Sequence, residues 1–125
     1  MNKSPIRSHI ENLKYLIGKW KLVEHSQVNE ELEGQLVYRE DRTMSVHITG
    51  KYDGVEVLIS YSGTYDFEEV CVVHKVEISD NPKRVGTEQR RYIKLDGDLM
   101  TFTESPIETS FKIVWQKQER LSSFL

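Results

Sequence analysis

Arg91 is the side chain in this sequence best suited to holding a ligand, because a guanidinium offers a bidentate fork to a carboxylate or an enolate. Glu104 offers the competing use, an internal ion pair with Gln89 hydrogen-bonded alongside, which would neutralise a costly buried charge. The two uses are compatible if a ligand competes with Glu104 for Arg91. His74 could take or give a proton with its pKa tuned by an apolar wall, and with Glu104 it is the candidate for catalytic proton transfer. The alternative is a hydrogen-bonded interior histidine with no chemistry. Tyr38, Tyr61 and Tyr65 could lend hydroxyls to a ligand carbonyl, or be wall packing with satisfied hydroxyls. His9, His25 and His47 fall on expected outer or helix-surface positions, and no histidine pair has zinc-site spacing with a further ligand nearby. Nucleophile-elbow, phosphate-loop, dinucleotide and His-Glu-x-x-His motifs are absent, so neither metal nor cofactor is expected.

Bringing these residues together requires a sheet. The chain has no alanine, the best helix former, whereas Val, Ile and Thr number 12, 9 and 7 of 125 residues. One helix is expected near 5–17, with Ser4 as cap, Pro5 in the first turn, Ile6, Ile10, Leu13 and Ile17 as its apolar stripe and Gly18 as stop. From Trp20 the pattern has period two, with turn signals at Gly34, Gly50, Asp53-Gly54, Asn81-Pro82, Asp96-Gly97 and Ser105-Pro106. Strands are expected near 19–27, 35–40, 43–50, 55–62, 63–68, 70–79, 87–95, 98–104 and 107–117, with 55–68 as one bent strand an option. Many short strands without room for parallel crossovers imply a mainly β, antiparallel up-and-down barrel, with the helix packed at one end. The chain reads as one domain over 1–125, the barrel spanning about 18–117 and a short tail following.

Hairpin turns set the register. A two-residue Asp96-Gly97 loop pairs Ile93 with Met100, Arg91 with Phe102 and Gln89 with Glu104. The apolar members mark the interior face and carry Gln89, Arg91 and Glu104 inward with them. A Glu68-Glu69 loop pairs Tyr65 with Val72 and Gly63 with His74, which turns His74, Val70, Val72, Val76 and Ile78 inward and Cys71 outward. On the first strand, Trp20, Leu22, Glu24 and Ser26 share one face. The expected lumen is apolar with a small convergent polar set, which is what a small-molecule site needs.

Composition excludes several other classes. Apolar residues at 38% argue against a disordered chain, and no apolar run is long enough to span a bilayer. A net charge of -3 argues against a nucleic-acid partner. The N-terminus lacks a secretory signal pattern, and the single Cys71 cannot form an internal disulfide; both favour a reducing, cytoplasmic setting. A homodimer is left open by Tyr92, Val73 and Leu99 on the outer face.

Several stretches resemble the bacterial and fungal lipocalin-like domain family. They are Gly18-Lys19-Trp20-Lys21-Leu22-Val23, Met44-Ser45-Val46-His47-Ile48, Tyr61-Ser62-Gly63-Thr64-Tyr65 and His74 through Pro82. The most specific is Val85-Gly86-Thr87-Glu88-Gln89 with Arg91 and Leu95-Asp96-Gly97-Asp98. The resemblance implies a closed barrel that holds one small ligand or is filled by side chains; relatives include carriers of apolar molecules and a few biosynthetic cyclases. One departure concerns the arginines that family members carry after the last-strand tryptophan, where this chain has Gln116-Lys117 after Trp115. Three functions follow as expectations. The first is binding of a small apolar or amphipathic molecule held by Arg91, with Tyr38, Tyr61, Tyr65, His74, Gln89 and Glu104 around it. The second is a cofactor-independent cyclase or isomerase in the same cavity, and the third a filled barrel acting as an interaction module.

Overall fold

The computed structural model describes residues 14–68, 70–105 and 110–118. These form β1 (Gly18–His25), β2 (Glu30–Tyr38), β3 (Thr43–Tyr52), β4 (Val55–Glu68), β5 (Cys71–Ser79), β6 (Glu88–Asp96), β7 (Leu99–Thr103) and β8 (Ile113–Lys117). Every strand pairs antiparallel with the next and β8 with β1, so the sheet closes into an up-and-down barrel as the alternation and hairpin turns imply. The stretch 55–68 is one strand. Of the expected helix only 14–17 lie within the described residues, and of these 14–16 are helical.

One end of the barrel is plugged. Leu16 and Trp20 are both buried, and the Trp20 indole N–H donates to the Leu16 carbonyl at 2.9 Å. Lys117 stands next to the position where the resemblance implies an arginine. Its ammonium lies 4.7 Å from the Trp20 ring centre and donates to the carbonyls of Tyr15 and Ile17. A cation thus caps the carbonyl end of the helical turn and stacks on the aromatic that closes the barrel.

Both hairpin registers differ from expectation by two residues, and the reason is which residues turn. The β6–β7 loop is Gly97-Asp98, with Asp96 opposite Leu99, because Gly97 supplies the positive φ of 61° at the first loop position. Ile93 therefore faces Phe102 and Leu95 faces Met100. A slip of two keeps every side chain on its face, so the interior assignment survives. Likewise Glu68 pairs with Cys71, which puts His74 opposite Tyr65 and Gly63 opposite Val76.

Bulges, by contrast, reverse faces. Between Ser62 and Gly63 the pairing with β5 shifts by one, and Ile78, expected inward, is 69% exposed; Val70 is exposed at the turn. Gly63 lies opposite Val76 at this bulge. A Cβ there would meet the Lys75 carbonyl oxygen at 1.9 Å, so the glycine admits the bulged backbone itself. A second bulge between Leu22 and Glu24 turns Glu24 and Ser26 out to solvent and His25 in. Cys71 and Val73 point outward by register yet are buried, Val73 to 1% exposure. The Arg90–Glu68 ion pair, 2.6 Å long, joins β6 to β4 across the outside of β5 and covers them.

Candidate functional site

Large side chains fill the lumen from the plugged end: Trp20, Tyr38, Met44, Phe102, Met100 and Trp115 are all but inaccessible. Towards the opposite end a cavity of about 170 Å³ remains. Val46, Ile48, Ile59, Phe102 and Ile113 give it apolar walls; His25, Gln27, Tyr61, Arg84, Gln89 and Arg91 bring polar groups, and Phe111 and Trp115 complete the lining. Exposed Gln27 and half-buried Gln89 and Arg91 mark its mouth. Ligand pockets commonly run from about 300 to 1,000 Å³, whereas a cavity of about 150 Å³ is enough for benzene. Size alone therefore restricts the occupant to about one ring with a substituent.

The sequence block Asn81-Pro82 to Arg91 builds the polar rim. Pro82 opens a 3-10 turn over Pro82–Arg84, and the Asn81 side chain accepts from the Lys83 N–H at 3.0 Å. That turn carries Arg84 over the Tyr61 ring, 5.7 Å from its centre, while Arg84 is held by Ser79 and Asp80. Thr87 Oγ1 donates to the Arg84 carbonyl, Gln89 Nε2 donates to Thr87 Oγ1, and Arg91 Nη2 donates to Gln89 Oε1 at 3.0 Å. Arg91 also donates to the Arg90 carbonyl and lies 5.1 Å over the Phe111 ring. Its guanidinium is thus oriented by neutral groups, and among the described residues no carboxylate stands within ion-pair distance of it.

Beneath the cavity floor is a buried three-residue chain. Tyr38 Oη lies 2.5 Å from His74 Nε2, and Tyr61 Oη lies 2.7 Å from His74 Nδ1. Tyr65 stands apart from this chain and donates to the Arg39 carbonyl at 2.9 Å. Burial, reinforced by the Arg91 charge, pushes His74 down to about 3, so its imidazole is neutral at ordinary pH. Burial raises Tyr38 well above the usual phenol value and Tyr61 and Tyr65 to about 12. His25 is lowered too, by burial and then by Arg91, and its Nδ1 accepts the Gln27 backbone N–H at 3.0 Å.

Of the residues the sequence singled out, Tyr61, Gln89 and Arg91 line the cavity. His74 stands behind its wall in contact with Tyr61, Tyr38 bonds to His74 from the far side, and Tyr65 packs on Tyr38 with ring centres 4.5 Å apart. Glu104, expected inward beside Arg91, is exposed. Strand β7 ends at Thr103, whose hydroxyl donates to the Ser105 carbonyl and bends the chain off the sheet, so Glu104 leaves the barrel wall. Among the lining residues that the sequence reading missed are His25, Arg84 and Phe111. His25 was hidden by a bulge that strict alternation cannot register. Arg84 looked like a solvated loop cation, although Asn81-Pro82 two residues before it signals a tight turn. Phe111 lies in the connection to β8, where periodicity carries no information.

A closed eight-stranded up-and-down barrel, plugged at one end and hollow towards the other, defines a class of small barrels that bind small molecules. A family model described as a lipocalin-like domain matches residues 50–125, 76 of the 125, and the chain belongs to that lipocalin-like domain family. No curated protein matches the sequence. Among the described residues no helix is long and apolar enough to cross a membrane.

Proposed function

We propose that the barrel binds one small, largely apolar molecule and that Arg91 holds its anionic or carbonyl group. The observation that supports this is a guanidinium on the wall of an apolar cavity, oriented by Gln89 and Phe111 and lacking a carboxylate partner among the described residues. A half-buried cation so arranged is short of counter-charge, and an incoming acceptor supplies it. The free thiol Cys71 supports a reducing, cytoplasmic setting as part of the same reading.

The catalytic reading gains no comparable support. His74 is 1% exposed, bonded on both ring nitrogens and absent from the cavity wall, and Glu104 is in solvent. The test uses benzoate, a single ring bearing a carboxylate, titrated calorimetrically into wild type and Arg91→Leu. Loss of a charge-assisted hydrogen-bonded pair should weaken binding by about tenfold or more. Equal affinities would refute the assignment of Arg91. Native mass spectrometry of freshly purified protein, compared with its denatured mass, checks for a co-purifying ligand of the same size class.

A further inference from the structure

The hydrogen-bond directions in the buried Tyr38–His74–Tyr61 chain follow from counting donors and acceptors. A neutral imidazole has one N–H and one lone-pair nitrogen, so one tyrosine must donate to it and the other must accept from it. Tyr38 is 0% exposed, and among the described residues His74 is its one hydrogen-bond partner. Were Tyr38 to accept from Nε2–H, its own hydroxyl proton would be left buried with nothing to bind, an arrangement that proteins avoid. With Tyr38 donating to Nε2 instead, the imidazole proton sits on Nδ1 and is donated to Tyr61 Oη. The hydroxyl proton of Tyr61 is then the one left over, and Tyr61 lines the cavity.

We infer that this chain delivers the Tyr61 hydroxyl proton into the cavity, so that the site selects a molecule of about one ring carrying a hydrogen-bond acceptor, a carbonyl or a carboxylate. The inference rests on the preceding reading that the cavity is a binding site, and it adds the residue and the direction of the bond. Two neighbours point the same way. Trp115 Nε1, on a ring that lines the cavity, is a buried donor with no hydrogen-bond partner among the described residues. His25 has its Nδ1 occupied as an acceptor by Gln27 N–H, which leaves the proton of the neutral ring on Nε2. With Arg91, four groups on the wall have a donor to offer, while Gln89 Oε1 already accepts from Arg91. A low-dielectric chain of this kind also polarises its last member, which strengthens Tyr61 as a donor.

Side-chain nitrogen NMR of the protein without added ligand reads the direction first. His74 should be protonated on Nδ1 and His25 on Nε2, and a His74 proton on Nε2 would overturn the inference. Binding reads the consequence, with acetophenone and toluene as neutral probes that differ in one acceptor. Wild type should prefer acetophenone by about fivefold or more, the worth of one neutral hydrogen bond in a dry site, and Tyr61→Phe should lose that preference. If acetophenone binds no better than toluene, or keeps its preference in Tyr61→Phe, the donor role is wrong even where benzoate still depends on Arg91. Benzoate binding that ignores Arg91 instead refutes the earlier reading and leaves the Tyr61 result standing. Failure of all three probes to bind overturns both.

Discussion

The buried imidazole makes stability depend on pH in a window where few other groups act. His74 titrates at about 3 in the folded barrel and at about 6.5 in the unfolded chain. Between those values the unfolded state carries a proton that the native state does not, so stability rises with pH there and is lost as pH falls from about 6.5 towards about 3. At about 1.4 kcal/mol per unit, lowering the pH from about 7.5 to about 5 should remove about 2 kcal/mol through this one site. His25 is also lowered and acts in the same direction. Asp41 and Asp80 are held below the usual carboxylate value by hydrogen bonds, from Thr43 and from the Ser60 backbone respectively, so what they contribute is lost only as pH falls below about 4, beneath the step from about 7.5 to about 5. Urea unfolding at the two pH values measures the change, and His74→Gln isolates it, because an amide can both donate and accept without titrating. The variant should lose about 2 kcal/mol of the pH dependence, whatever its absolute stability. A wild type equally stable at both pH values, or a variant with an unaltered slope, would refute the buried neutral imidazole.

Two further predictions concern the frame. Gly63→Ala should destabilise the barrel by about 2 kcal/mol or more in denaturant unfolding, because a Cβ there meets the Lys75 carbonyl oxygen, which is backbone and cannot rotate away. The two tryptophans should differ. Trp20→Phe breaks the bond to Leu16 and weakens the Lys117 stack, whereas Trp115→Phe removes an N–H that has no partner among the described residues, so the first should cost about 1 kcal/mol more by thermal unfolding.

What the sequence made legible was parity. A strand carries one bit per residue, inward or outward, and a register error of two leaves that bit unchanged. Ile93, Leu95, Met100 and Phe102 therefore came out on one face although both hairpin loops were placed one residue too early. The polar set reached through them, Tyr61, His74, Gln89 and Arg91, inherited that assignment. Illegible were the places where parity breaks. The bulges at Leu22/Glu24 and opposite Ser62/Gly63 exchange faces beyond them, and nothing in Leu22-Val23-Glu24 or Lys75-Val76-Glu77-Ile78 announces the extra residue, since a bulge is fixed by the partner strand and not by local composition. His25 was lost for this reason and Ile78 misassigned. Glu104 failed differently: alternation was extended past Thr103, where the strand had ended.

Distance along the barrel is the quantity that parity cannot supply, and it decides which inward polar groups meet. Glu104 and Arg91 looked like an internal ion pair because a register error of two placed Glu104 opposite Gln89, diagonal to Arg91. With the true loop at Gly97-Asp98, β7 is too short to carry Glu104 within the sheet, and Arg91 is held by Gln89 and Phe111 instead. The consequence is chemical. A barrel that neutralised its arginine internally would present a balanced cavity with no preference for charge. This one sets a guanidinium, an indole N–H without a partner among the described residues and the last hydroxyl of a buried relay around one small space, which is why the proposed ligand is one that brings an acceptor.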